Sequence, residues 1–257
     1  AFIAGALSAF AMPPFDAFPI LVLTLGVLYA LIMHAQGTTQ AFVTGWVFAF
    51  GYFLVGLYWV GNALLIGGNP YYWAWPLAVT LLQALLAFFI AFGCALAKRF
   101  SNQRNIPGFI SFCAMLAFFE FARGHAFTGF PWNLGGYAFA ASDASIQLAS
   151  IFGIYGLTFI AVFLGAICFA NKHAAMVAWA TLALAIGWGA WRAQTAPHEF
   201  VEGIKFRLVQ ANIQQHHKSA TKTEGFGDNE FDQYWLSVTP GQSIQLALLT
   251  WIGVRSV

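Results

Sequence analysis

The sequence predicts a mainly α-helical, polytopic membrane protein of about seven spans, followed by an incomplete α/β segment. Three observations carry this. Of 257 residues, 60% are hydrophobic and 8% charged, against roughly 25% charged in a soluble domain. The charge is also unevenly placed. Residues 1–197 hold nine charged side chains (Asp16, Lys98, Arg99, Arg104, Glu120, Arg123, Asp143, Lys172 and Arg192), whereas the last 60 residues hold eleven. Finally, apolar runs of span length alternate with short polar or proline-rich breaks up to residue 197, and that rhythm then stops. The expected division is therefore a membrane domain over 1–197 and a separate polar segment over 203–257.

The first apolar segment, Ala1–Ala11, lacks the basic start of a signal peptide and reads as the remainder of a longer span. Met12-Pro13-Pro14-Phe15-Asp16-Ala17-Phe18-Pro19 is a proline-punctuated turn into a second segment, Pro19–Met33. The third, Ala41–Ile66, sets Ala41, Gly45 and Ala49 four residues apart, a small-residue face suited to close helix packing. Trp59 lies near its far end. Gly67-Gly68-Asn69-Pro70 is a loop signal, and Tyr71, Tyr72, Trp73 and Trp75 form an interfacial aromatic belt. The fourth segment, Trp75–Ala97, carries Gln83 as its one strongly polar residue. Ile106–Ala122, Ser145–Ala170 and Ala174–Trp191 complete the set.

Parity then assigns sides. Lys98, Arg99 and Arg104 follow span four, and Lys172 and His173 follow span six, so both basic loops share one face. The positive-inside rule makes that face cytoplasmic. The tail follows span seven and is expected on the opposite side. Net charge is only +2, which gives no reason to expect a nucleic acid partner.

The stretch Phe119–Trp132 concentrates the chemistry of the membrane part. Glu120 and Arg123 stand three residues apart, on one helix face. An unpaired carboxylate costs about 3 kcal/mol near a bilayer centre, and a neighbouring Arg lowers that cost. Thr128-Gly129-Phe130-Pro131-Trp132 follows as a turn closed by an interfacial aromatic. Two readings stand: an ion pair ending a helix with a Trp anchor, or a polar, aromatic-lined mouth where a lipid head group enters. The candidate lipid-binding residues are Trp132, Glu120, Arg123, Pro131 and Trp59, with Trp132 making the contact and the ion pair shaping the site beneath it.

Cys94, Cys113 and Cys168 lie in apolar runs and read as small core residues. His216-His217 are adjacent and do not converge as metal ligands on one helix face do, so no metal site is expected. In the tail, residues 204–210 alternate as a half-buried strand, 228–239 could form a short helix, and 244–251 read as a second, more buried strand.

Several of these pieces carry a resemblance. F-R-L-V-Q-A-N-I-Q-Q (206–215), followed by a strand ending in Trp251, resembles the start of a carbon–nitrogen hydrolase (nitrilase-like) domain. P-P-F-D-A-F-P (13–19), the Gly51–Trp59 stretch with its G-x-x-W ending, E-F-A-R-G (120–124) and T-G-F-P-W (128–132) resemble the membrane part of the apolipoprotein N-acyltransferases. The resemblance implies an eight-span inner-membrane body with a periplasmic nitrilase-like domain. It also implies transfer of a phospholipid acyl chain to the amino group of an S-diacylglyceryl cysteine that begins a lipoprotein. That reaction runs through a Cys thioester, with a Glu base and a Lys at the oxyanion, and needs no cofactor. In the family, Pro and the catalytic Glu follow the strand-ending Trp; here Ile252-Gly253 follow Trp251. Residues 1–257 offer no match for the Glu, Lys or Cys, and the expectation is a truncated, inactive copy. A Trp that the family tends to carry near position 219 is Ser219 here. The rival classes are a transporter, which would show repeated hydropathy and charged spans, and a non-catalytic lipid-binding scaffold.

Overall fold

The computed structural model describes residues 1–65, 69–100 and 106–196. The tail strands, the helix expected at 228–239, and His216-His217 lie outside the described residues. Among the described residues every regular element is helical. α1 spans Phe2–Ser8 and runs into a 3-10 turn, Ala9–Ala11. α2 is Phe18–His34, α3 Thr38–Leu57, α4 Trp75–Phe100, α5 Ile106–His125, α6 Asp143–Ile146, α7 Ala149–Ala170 and α8 Lys172–Thr195.

Five of these helical stretches are long and apolar enough to cross a membrane: Thr38–Leu65, Tyr72–Phe100, Ile106–His125, Ala149–Ala170 and Lys172–Thr195. Phe2–Ala11 and Phe18–His34 are apolar but shorter. α2 has 17 residues, or about 25 Å of helix at 1.5 Å per residue.

Two expected spans are not the continuous helices that their apolar runs suggest. The third changes from α-helix to a 3-10 helix, Tyr58–Leu65. The amide of buried Gln83, on α4, donates to the Leu57 carbonyl at 3.1 Å. It thus satisfies a group left over where the α-helical ladder ends. The sixth was expected as one segment from Ser145 to Ala170. It is divided into α6 and α7, and α7 is itself broken at Gly153 (φ 63°, ψ 178°), a conformation L side chains seldom adopt. Hydropathy reports solvent preference and is blind to such a backbone angle.

Small residues set the helix approaches. Ala41, Gly45 and Ala49 are all buried, and α3 meets α4 there. A Cβ on Gly45 would lie 2.8 Å from the Cys94 sulfur and 3.2 Å from the Ala91 backbone. α2 and α7 cross at Gly26 and Gly165, where a Cβ on Gly165 would sit 2.7 Å from Leu25 Cβ and 2.9 Å from the Val22 carbonyl. Polar ties reinforce the bundle. The Ser8 hydroxyl donates to Thr24 Oγ1 across α1 and α2 (2.6 Å). Buried Lys98, in the last turn of α4, donates to the Met33 carbonyl at the C-terminal end of α2 (3.0 Å), where a cation complements the helix dipole. Asn171 caps α8, its side-chain oxygen accepting from the backbone of His173 and Ala174.

Candidate lipid-facing site

The last turn of α5 brings Glu120 and Arg123 together, as their spacing predicts. Arg123 Nε and Nη2 donate to the two Glu120 carboxylate oxygens at 3.2 and 2.8 Å. Arg123 is 1% exposed and Glu120 5%. The other arm of the guanidinium reaches past the helix end. Nη1 donates to the carbonyls of Phe130 (2.7 Å) and Trp132 (2.9 Å). Its Cζ lies over the Phe53 ring of α3, 4.8 Å from the centroid. A guanidinium can serve a carboxylate and two carbonyls at once because its donors fan out in a fixed plane.

The segment after α5 is folded back onto this brace. Ala126 N–H donates to Ala122 O, Gly129 N–H to Ala126 O, and Phe130 N–H to Arg123 O. Gly129 has φ 80°, and a Cβ there would meet the Gly124 carbonyl at 2.5 Å, so this tight turn requires glycine. Asn133 also has positive φ, and its carbonyl accepts from the Tyr52 hydroxyl of α3 at 2.8 Å. Trp132 is thereby fixed at both its own carbonyl and that of its neighbour.

Outward from the brace, the Trp132 and Trp59 rings meet edge to face, with centroids 5.6 Å apart and planes at 74°. They remain 54% and 45% exposed, and the Trp59 indole N–H donates to Gly56 O. Pro131 is exposed beside them. Inward, Glu120 and Tyr52 border a narrow apolar cavity of about 30 Å³, walled by Leu25, Leu28, Phe48 and Leu116.

All five sequence-predicted residues therefore fall in one corner, in two layers. Glu120 and Arg123 form the buried layer and offer almost no surface to a ligand. Trp59, Pro131 and Trp132 form the exposed one. Sequence reasoning missed Tyr52, Phe53 and Asn133, which hold the corner from α3 and from the loop. Their signal was faint: an aromatic pair inside an apolar run, and an Asn directly after Trp132. Cys94 and Cys113 are buried, and Cys168 is half-buried and accepts from the Trp179 indole at 3.3 Å; none of the three contributes to the corner. Among the described residues no group of three His, Cys, Asp or Glu side chains is placed to hold a metal.

Residues 4–167 match the family described as the apolipoprotein N-acyltransferase N-terminal domain. The chain belongs to that family. The match runs from α1 almost to the end of α7 and takes in Trp59, Glu120, Arg123, Pro131 and Trp132. Proteins named apolipoprotein N-acyltransferase are similar over most of the chain. The one from Rhodopseudomonas palustris is 36% identical over 230 residues, 84% of this chain and 43% of its own length. That from Rickettsia bellii is 35% identical over 88% of this chain and 45% of its own. That from Bradyrhizobium diazoefficiens is 39% identical over 86% and 44%. The chain thus spans less than half the length of the curated relatives it matches.

Proposed function

We propose that this chain is the lipid-handling membrane part of a bacterial inner-membrane apolipoprotein N-acyltransferase. Its Trp59–Pro131–Trp132 corner receives the acyl chain of a phospholipid donor and of the diacylglyceryl lipoprotein acceptor. One observation carries the reading: buried Arg123 holds the Trp132 carbonyl, so an exposed indole stands at fixed position against Trp59 at the end of a membrane-length helix. An amphipathic ring at that level suits the boundary between acyl chains and head groups. Glu120 and Arg123 act through the loop, not by touching lipid, because their polar atoms are spent on each other and on backbone.

The finer reading counts α1 and α2 as spans, giving seven, and puts the corner and the tail on the periplasmic side, opposite Lys98 and Lys172. It takes residues 203–257 as a nitrilase-like segment. Residues 1–257 bind lipid without transferring acyl groups: Cys94 and Cys113 are buried within α4 and α5, and Cys168, within α7, accepts from the Trp179 indole. The test is photolabelling in nanodiscs with a phospholipid carrying a diazirine on its acyl chain, with and without a diacylglyceryl-cysteine peptide. Label is expected on the peptides holding Trp59 and Trp132, reduced in Trp132→Ala, with neither a thioester nor an N-acylated product. Label spread evenly around the bundle would defeat the lipid-corner reading, and an acyl-cysteine with turnover would defeat the assignment of inactivity.

A further inference from the structure

The Trp59–Trp132 corner holds a polar group that its own contacts leave unused. Asn133, directly after Trp132, has its backbone in the left-handed region (φ 53°), which asparagine tolerates better than most residues. Its carbonyl accepts from the Tyr52 hydroxyl at 2.8 Å, and the preceding carbonyl, that of Trp132, accepts from Arg123. The backbone here is therefore pinned from α3 and from α5. The side chain turns to α3, where its amide nitrogen takes the space that a side chain at position 56 would fill. A Cβ on Gly56 would run into Asn133 Nδ2, and would stand 3.7 Å from Ala9 Cβ in the first 3-10 turn. The Gly56 carbonyl accepts the Trp59 indole N–H at 3.1 Å. One glycine thus seats both the Asn133 amide and one ring of the exposed aromatic pair.

Asn133 Nδ2 is enclosed and has no hydrogen-bond partner among the described residues. Two other buried side-chain atoms share that condition, Asp16 Oδ1 and Gln83 Oε1, and both are oxygens; Asn133 supplies the orphaned donor. An enclosed N–H without an acceptor is costly, so a ligand that brings one gains the bond and removes the penalty together. The donor is an uncharged amide beside apolar and aromatic groups, which suits a neutral acceptor better than an anion that would have to be desolvated there. Tryptophan rings stand where acyl chains meet head groups, and the neutral acceptors at that level are the ester carbonyls joining acyl chains to glycerol. Trp59, 45% exposed and tied to Gly56 by a single N–H, is the side from which the notch opens.

We propose that Asn133 is the polar determinant of the corner: its amide, in the Gly56 notch, donates to a glyceryl ester carbonyl of the lipid seated against Trp59 and Trp132. This rests on the lipid-corner reading and narrows it. A phospholipid donor and a diacylglyceryl-cysteine acceptor differ in head group but share these esters, so one amide serves both. The corner selects ester-linked glycerolipids over ether-linked ones, whatever head they carry.

The test uses the full chain in nanodiscs and two phosphatidylethanolamine probes with the same chains and the same diazirine, one joined to glycerol by esters and the other by ethers. Label is read on the peptides holding Trp59 and Trp132. The ester probe should label them about three- to tenfold more than the ether probe, as one neutral hydrogen bond implies. Asn133→Asp keeps the shape and the backbone angle but removes the donor, and should bring the ratio close to one. Asn133→Gly, which keeps the positive φ and the carbonyl that Tyr52 holds, should do the same. So should Gly56→Ala, which leaves Asn133 in place but takes its seat. The ether probe should label all four proteins alike, which shows that the variants keep a folded corner. Equal labelling of the wild type by both probes would overturn this proposal and leave the lipid corner standing. A preference for the ester probe that survives the Asn133 changes would put the carbonyl elsewhere and overturn it as well. Absence of label from either probe would overturn the corner itself, and this proposal with it.

Discussion

Arg123→Lys separates the two tasks of the guanidinium. Lysine keeps a positive charge beside Glu120, but a compact ammonium cannot serve that carboxylate and the Phe130 and Trp132 carbonyls together. In the native corner those carbonyls accept at 2.7 and 2.9 Å. A hydrogen bond to a charged group contributes about 1.5–3 kcal/mol. Both contacts are only part-buried, so water offsets some of the loss, and a total of about 2–4 kcal/mol is expected. For a chain of this size each kcal/mol lowers Tm by about 2–4 °C, so the variant should melt roughly 5–15 °C early. Thermal unfolding in detergent, followed by near-UV circular dichroism, reads the first effect. Limited proteolysis between Ala126 and Asn133 reads the second, because the loop should open before the bundle does. A variant with native Tm and an uncut loop would refute the brace. The comparison with Glu120→Ala sharpens this. That change leaves a buried guanidinium unpaired and should cost about 3–5 kcal/mol. Glu120→Ala with Arg123→Ala removes the isolated charge and should recover that share of the loss, but not the loop's.

Four further outcomes follow, three from the packing and one from the placement of the basic loops. Gly165→Ala should destabilise the α2–α7 crossing by about 1–3 kcal/mol, because the new methyl meets backbone and Cβ atoms that cannot yield. Gly187→Ala, with nothing within 4 Å of its Cβ in the middle of α8, should instead stabilise by about 0.5–1 kcal/mol; paired unfolding curves check both signs. A lipid-soluble maleimide should label Cys168 faster than Cys94 or Cys113 in the folded protein, since only Cys168 is partly exposed; equal labelling would mean the α3–α4 seam is open. A reporter enzyme active only in the periplasm should work when fused after Val201 and be silent at Ser101 or His173, and activity at Ser101 would reverse the topology.

The sequence alone determined the membrane class, the helical body and the Glu120–Arg123 pair. These depend on quantities a chain carries locally: the transfer preference of successive side chains, and the three-residue spacing that puts two groups on one helix face. The small-residue face of Ala41, Gly45 and Ala49 was legible for the same reason. So was the family, because its motifs stand in order along the chain. Only the tertiary structure decided what the pair does. Arg123's further partners are two backbone carbonyls beyond its helix and the Phe53 ring on another. Carbonyls have no signature in sequence, and which ring a guanidinium meets depends on how two helices are rotated against each other. The break at Gly153 and the 3-10 ending of α3 escaped notice because hydropathy is silent on φ and ψ. Gly124 shows the division most plainly. Its identity was visible as the end of E-F-A-R-G, but its purpose, room for a tyrosine hydroxyl from α7, exists only once the two helices are packed.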